Sequence, residues 1–74
     1  MAKSFFYVRE FRGMPWIKRG TAIEVSGKKG RVTSGGNGGN IRVRLDGEKY
    51  SRNYHPHWET VYYDKNGKVI ADYR

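Results

Sequence analysis

The sequence predicts an all-β protein, a small antiparallel barrel or sandwich of short strands formed by one domain over residues 1–74. Three observations predict it. Apolar and polar residues alternate over Ile41-Arg42-Val43-Arg44-Leu45-Asp46, the period of two that marks a strand with one buried face. Glycine-rich turns separate the apolar runs, and the ten glycines are enough to punctuate a chain of 74 residues into short segments. No apolar pattern at i, i+3, i+4, i+7 runs long enough for an amphipathic helix. Barrels and sandwiches of short strands also limit exposed strand edges.

Taken in chain order, Ser4 to Phe11 is rich in aromatics and reads as a strand. Gly13-Met14-Pro15 ends it, since proline cannot donate to a ladder. Thr21, Ile23 and Val25 then alternate with Ala22 and Glu24. Ser26-Gly27-Lys28-Lys29-Gly30 suits a tight hairpin into Arg31-Val32-Thr33, so these runs are expected to pair antiparallel. The glycine-rich Ser34 to Asn40 segment reads as a flexible hairpin tip before the Ile41–Leu45 strand. At most one helical turn is expected, near His55-Pro56-His57-Trp58. Glu59-Thr60-Val61-Tyr62-Tyr63 and Lys68 to Tyr73 flank Asp64-Lys65-Asn66-Gly67, whose Asn-Gly pair predicts a C-terminal hairpin. The expected core holds Ile23, Val25, Val32, Ile41, Val43 and Leu45.

A chain this short builds a thin core. Eleven aromatic residues can supply much of it, because each ring buries on the order of 150–250 Å². At least one of Trp58 and Tyr62 is expected to plug a barrel end, whereas Tyr50 and Tyr54, with polar neighbours, are expected outside. There is no cysteine, which excludes disulfides and accords with a reducing cytosol. The longest apolar stretch, Phe5-Phe6-Tyr7-Val8, falls far short of the ~20 residues of a membrane span or a ~7–15-residue signal core. A soluble, unprocessed, cytoplasmic protein without membrane contact is the expectation.

The net charge of +8 is unevenly placed. Residues 9–44 carry nine basic residues against Glu10 and Glu24, while residues 45–74 balance five acids with five bases. That asymmetry is the electrostatic footprint of a polyanion partner. Arg42 and Arg44 share a strand face opposite Ile41, Val43 and Leu45. With Lys29 and Arg31 from the neighbouring segment they form a candidate basic stripe for phosphates, and Lys28 is a further candidate contact. Its bland counterpart is a solvated face paired with Glu24, Asp46 or Glu48. Tyr50, Tyr54, His55, His57 and Trp58 beside Lys49 and Arg52 supply the mixture of stacking surfaces and cations that single-stranded nucleic acid uses, and such an aromatic cluster could equally hold a peptide.

Other chemistry finds less support. The glycine-rich segment lacks the Gly-Lys-Ser/Thr ending of a P-loop and opens no helix. His55 and His57 lack the further ligands of a zinc site. Asp64-Lys65-Asn66-Gly67 resembles the start of a calcium loop, but Lys68 stands at its fifth position and no glutamate closes it. Nothing in the spacing ties Ser34 or Ser51 to a histidine base, and a chain this small leaves little room for a water-excluding pocket of ~300 Å³ or more. The chain is therefore read as a non-enzyme without cofactor or metal.

From Gly20 to Asp46 the sequence resembles the KOW-type SH3-like barrel. Lys18-Arg19-Gly20-Thr21-Ala22-Ile23-Glu24-Val25 looks like its opening strand after a basic-glycine turn, and Gly30-Arg31-Val32 like its glycine and second strand. Arg42-Val43-Arg44-Leu45-Asp46-Gly47 followed by His55-Pro56 is similar to small bacterial and phage SH3-like domains. The resemblance implies a small SH3-like antiparallel barrel that binds RNA or proteins of the transcription and translation machinery. The expected function is nucleic-acid binding, RNA or DNA, by a small phage or bacterial regulator. The alternative is a protein-interaction module for an acidic partner.

Overall fold

The computed structural model describes residues 5–74. Its framework starts from the hairpin of β1 (Ala22–Val25) and β2 (Lys28–Gly35), joined by Ser26 and Gly27 alone. Both turn residues have positive φ, 48° and 83°, the two-residue geometry that matches the twist of the flanking strands. The turn is thus tighter than expected. Lys28, Lys29 and Gly30 belong to the strand, with Lys29 opposite Glu24 and Arg31 opposite Ala22.

A six-stranded antiparallel sheet grows from this hairpin. It includes β3 (Ile41–Leu45), β4 (Arg52–Tyr54), β5 (Thr60–Tyr63) and β6 (Val69–Asp72), in the spatial order β4-β3-β2-β1-β5-β6. The all-β expectation holds. The hydrogen-bonded ladder does not close on itself, so β4 and β6 are edges. The expected C-terminal hairpin is present, and its turn is organised by Asp64, whose Oδ1 accepts the Asn66 and Lys68 amides at 2.8 and 2.9 Å. No helix among the described residues is long and apolar enough to cross a membrane.

The core lies on one face of the sheet. Ile23, Val25, Val32, Ile41, Val43 and Leu45 are all buried there, as the alternation requires, joined by Val8, Met14, Ile17 and Tyr62. Each such aliphatic side chain contributes about 1.5–3 kcal/mol by leaving water. Tyr62 is fully buried, as expected of at least one of the pair, whereas Trp58 is 54% exposed. The Tyr62 hydroxyl donates to the Pro56 carbonyl at 2.7 Å, and Thr60 Oγ1 donates to the same oxygen at 2.7 Å. These bonds fix the His55–Trp58 turn, closed by the Trp58 amide on the His55 carbonyl, against β5.

The N-terminal segment corrects an expectation. Phe6–Phe11 is a short helix, α1, and not a strand; Ser4 lies outside the described residues. Aromatic β-propensity expresses fit to a half-buried pleated surface beside a partner strand, and no strand pairs with this segment. The i→i−4 bonds from Arg9 to Phe5 and from Arg12 to Val8 satisfy the backbone locally, leaving Val8 in the core and Phe6, Tyr7 and Phe11 largely exposed.

Candidate functional site

The sheet face away from the core is defined by register. Ala22 of β1 pairs with Arg31 of β2 on one side and Tyr63 of β5 on the other, and Arg31 pairs with Arg44 of β3. Directly opposed residues share a face, so Tyr63, Ala22, Arg31 and Arg44 form one transverse row across four strands. Arg31 and Arg44 are exposed. Among the described residues the ion pairs are Arg52 with Glu48 and Arg74 with Asp72, so neither arginine of the row is neutralised by a carboxylate. Arg31 Nη1 donates to the Gly20 carbonyl at 3.0 Å. Its remaining guanidinium N–H groups stay available.

The next row is mixed. Lys29 stands opposite Glu24, and its carbonyl accepts the Asp46 amide at 2.9 Å. No ion pair links Lys29 to either acid.

The remaining expected site residues are distributed elsewhere. Arg42 lies on the outer face but is half-buried, its Nη2 donating to the Ser51 carbonyl at 2.8 Å. A bulge between Val32 and Ser34 shifts the ladder, so Arg42 meets Ser34 and the basic stripe is interrupted. The freed Thr33 places its hydroxyl on the Arg42 carbonyl and against Ser51 Oγ. Lys28 is exposed at the hairpin end opposite buried Val25. Lys49 and Tyr50 lie exposed in the β3–β4 loop. Arg52 and Tyr54 face the core side of β4, opposite Val43 and Ile41. Arg52 reaches solvent beside Glu48, whereas Tyr54 is half-buried against the core, contrary to the expectation of an exposed ring.

The glycine-rich tip also differs from expectation. Gly36 donates to the Asn40 carbonyl at 2.7 Å and Asn40 to Asn37 at 3.1 Å, while Arg12 Nε reaches the Gly39 carbonyl at 3.3 Å. Tyr7 covers Gly39, whose φ is +79° and where any Cβ would strike the ring. The tip is a clasped turn under α1.

His57 Nε2 bonds the Arg12 carbonyl at 3.0 Å and its ring stacks on Tyr73 at 4.1 Å. Desolvation, then the charges of Arg12 and His57, lower the His55 pKa. Burial is the main cause that lifts Tyr62 beyond the ordinary tyrosine range. At the opposite extreme, hydrogen bonds from the Arg74 side chain and backbone hold the exposed Asp72 down at about 2. No three His, Cys, Asp or Glu side chains converge as metal ligands among the described residues. Ser34 Oγ donates to the Gly35 carbonyl and Ser51 pairs with Thr33, so neither serine hydroxyl bonds a histidine.

Sequence reasoning missed Tyr63, Ala22 and Trp16. They border depressions of about 470 and 310 Å³ that meet at Ala22, Arg31, Tyr63, Asp64 and Lys65 and are open to solvent. The signal for Ala22 was present, since it is the small outward residue in the Thr21–Val25 alternation. The signal for Tyr63 was not, because β5 joins β1 across a long sequence separation. The chain matches no protein-family model, no curated protein and no solved structure.

Proposed function

We propose that this protein is a nucleic-acid-binding module that holds phosphates on the outer face of its sheet. The observation that carries the reading is the direct opposition of Arg31 and Arg44 without a carboxylate partner. Like charges directly opposite on neighbouring strands repel, and a bound polyanion turns that cost into paired, charge-assisted hydrogen bonds. Lys29 adds a third cation two residues from Arg31. The same reading takes the fold as an SH3-like barrel of the KOW type. It is supported by the way Tyr54 from one edge of the sheet, and Ala71 and Tyr73 from the other, converge on one core.

The test is the double substitution Arg31→Gln with Arg44→Gln, assayed by fluorescence anisotropy with labelled oligonucleotides over a salt series. Binding is expected to weaken for every sequence, and the slope of log affinity against log salt to shrink by about 0.7 per lost single-strand contact or about 0.9 per lost duplex contact. Thermal unfolding should stay near that of the wild type. Absence of wild-type binding to any nucleic acid at low salt refutes the reading, and binding to an acidic polypeptide alone would replace it with the protein-partner alternative.

A further inference from the structure

The transverse row has an unusual profile. Tyr63 and Arg31 both neighbour Ala22, one on each side. Adjacent strands lie roughly 4.8 Å apart, so the backbone positions of Tyr63 and Arg31 lie about 10 Å apart with only the methyl group of Ala22 between them. The floor of this gap is the place where the two depressions meet. Trp16, half-buried edge-on against Tyr62 at 5.0 Å, closes one end. The hydrogen bond from Arg31 to the Gly20 carbonyl holds the guanidinium toward that same end, and Lys18 and Lys65 stand at the rim. Three acids border the depressions, Glu24, Asp46 and Asp64. Asp64 accepts the amides of its own turn through Oδ1. Glu24 lies one row away, opposite Lys29.

We propose that this gap is a slot for one unpaired nucleobase, lying over Ala22 against the Tyr63 ring with its phosphate at Arg31, so that the ligand is single-stranded. This rests on the nucleic-acid reading given above. A base inside a duplex has both faces stacked and its pairing edge occupied, and cannot enter. A splayed base of a single strand offers its face to an aromatic ring and its phosphate to a cation at once.

The experiment compares a short thymidine oligomer with a blunt duplex, using Ala22→Ile, Tyr63→Leu and Tyr63→Phe. Isoleucine suits a strand and fills the gap, leaving Arg31 and Arg44 in place. Ala22→Ile and Tyr63→Leu are expected to weaken oligomer binding roughly 5- to 150-fold, the measured range for one stacked base, with the salt slope unchanged. Duplex binding should be unaffected, and Tyr63→Phe should bind the oligomer as the wild type does. In a Trp58→Phe background, which leaves Trp16 as the only indole, the oligomer should quench the emission. Thermal melts identify any variant that has lost its fold, and the quenching assay on the otherwise unaltered slot then decides alone. Equal losses for oligomer and duplex, or oligomer binding that depends on Arg31 and Arg44 but leaves the slot variants and Trp16 emission unchanged, overturn the slot and spare the wider reading. Failure of the wild type to bind either ligand overturns both.

Discussion

The two ends of the β2–β3 hairpin are built from the same kinds of residue and use them differently. At the regular end, Gly30 to Val32 face Val43 to Leu45 in unbroken register, and Arg31 and Arg44 extend into solvent without a carboxylate. At the bulged end, the extra residue breaks the ladder, and polar side chains are drawn in to satisfy it. Thr33 bonds the Arg42 carbonyl and Arg42 bonds the Ser51 carbonyl. Tyr7 and Arg12 clasp the tip beyond. A bulge leaves backbone groups outside the ladder, and buried or half-buried backbone groups must find partners. Two arginines on one strand face therefore have different occupations, one spent on the fold and one free for a ligand.

The contrast is broken most severely by removing what both ends share. Val43→Asp places an unpaired charge in the core between them, and such burial costs several kcal/mol against a total stability on the order of 5 kcal/mol for a domain of this size. Loss of the cooperative unfolding transition by circular dichroism is the expected outcome. Next in size, Gly39→Ala strikes only the bulged end. The positive φ and the overlying Tyr7 ring predict a loss of about 1–3 kcal/mol in denaturant unfolding, with nucleic-acid affinity preserved in the folded fraction. A stability equal to the wild type would show that the tip is not clasped.

Smaller effects sharpen the comparison. Arg42→Gln should cost about 1 kcal/mol of stability through the lost bond to the Ser51 carbonyl, and should leave the salt slope of oligonucleotide binding alone. Arg44→Gln should change stability by less than about 0.5 kcal/mol and lower the single-strand salt slope by about 0.7. Identical behaviour of the two variants in both assays would remove the distinction between the ends.

Much of this architecture was legible in the chain. The core face of β1, β2 and β3 follows from strict alternation, because a one-residue slip would expose every apolar side chain, and the Asn66-Gly67 pair announced the last hairpin. That Arg44 faces outward followed from the same alternation, while its direct opposition to Arg31 is set by the register of the two strands. Arg42's occupation did not, since the bulge that redirects it arises from pairing between strands and leaves no mark in either strand alone. Helix α1 was hidden for a related reason. Phe6, Tyr7 and Phe11 suit a strand only where a neighbouring strand exists to receive them, and that depends on the whole topology. Tyr54 was misjudged from polar neighbours in sequence, while its actual surroundings are set by its position opposite Ile41.

The strand order carries a consequence for how the molecule assembles. β1 with β2, β2 with β3, β3 with β4 and β5 with β6 are neighbours in sequence as well as in space. The exception is the joint between β1 and β5, which brings Ala22 to Tyr63 and Val25 to Thr60. Closing it requires the intervening three strands to be gathered first, and loop-closure entropy is met before any contact rewards it. That joint is the expected late step of folding and an early point of opening, a seam between a four-strand unit and a C-terminal hairpin. The gap over Ala22 straddles it, with Arg31 on one side and Tyr63 on the other. A ligand seated there would act as a staple, slowing escape from the native state more than it speeds arrival, because it grips two pieces that meet only at the end.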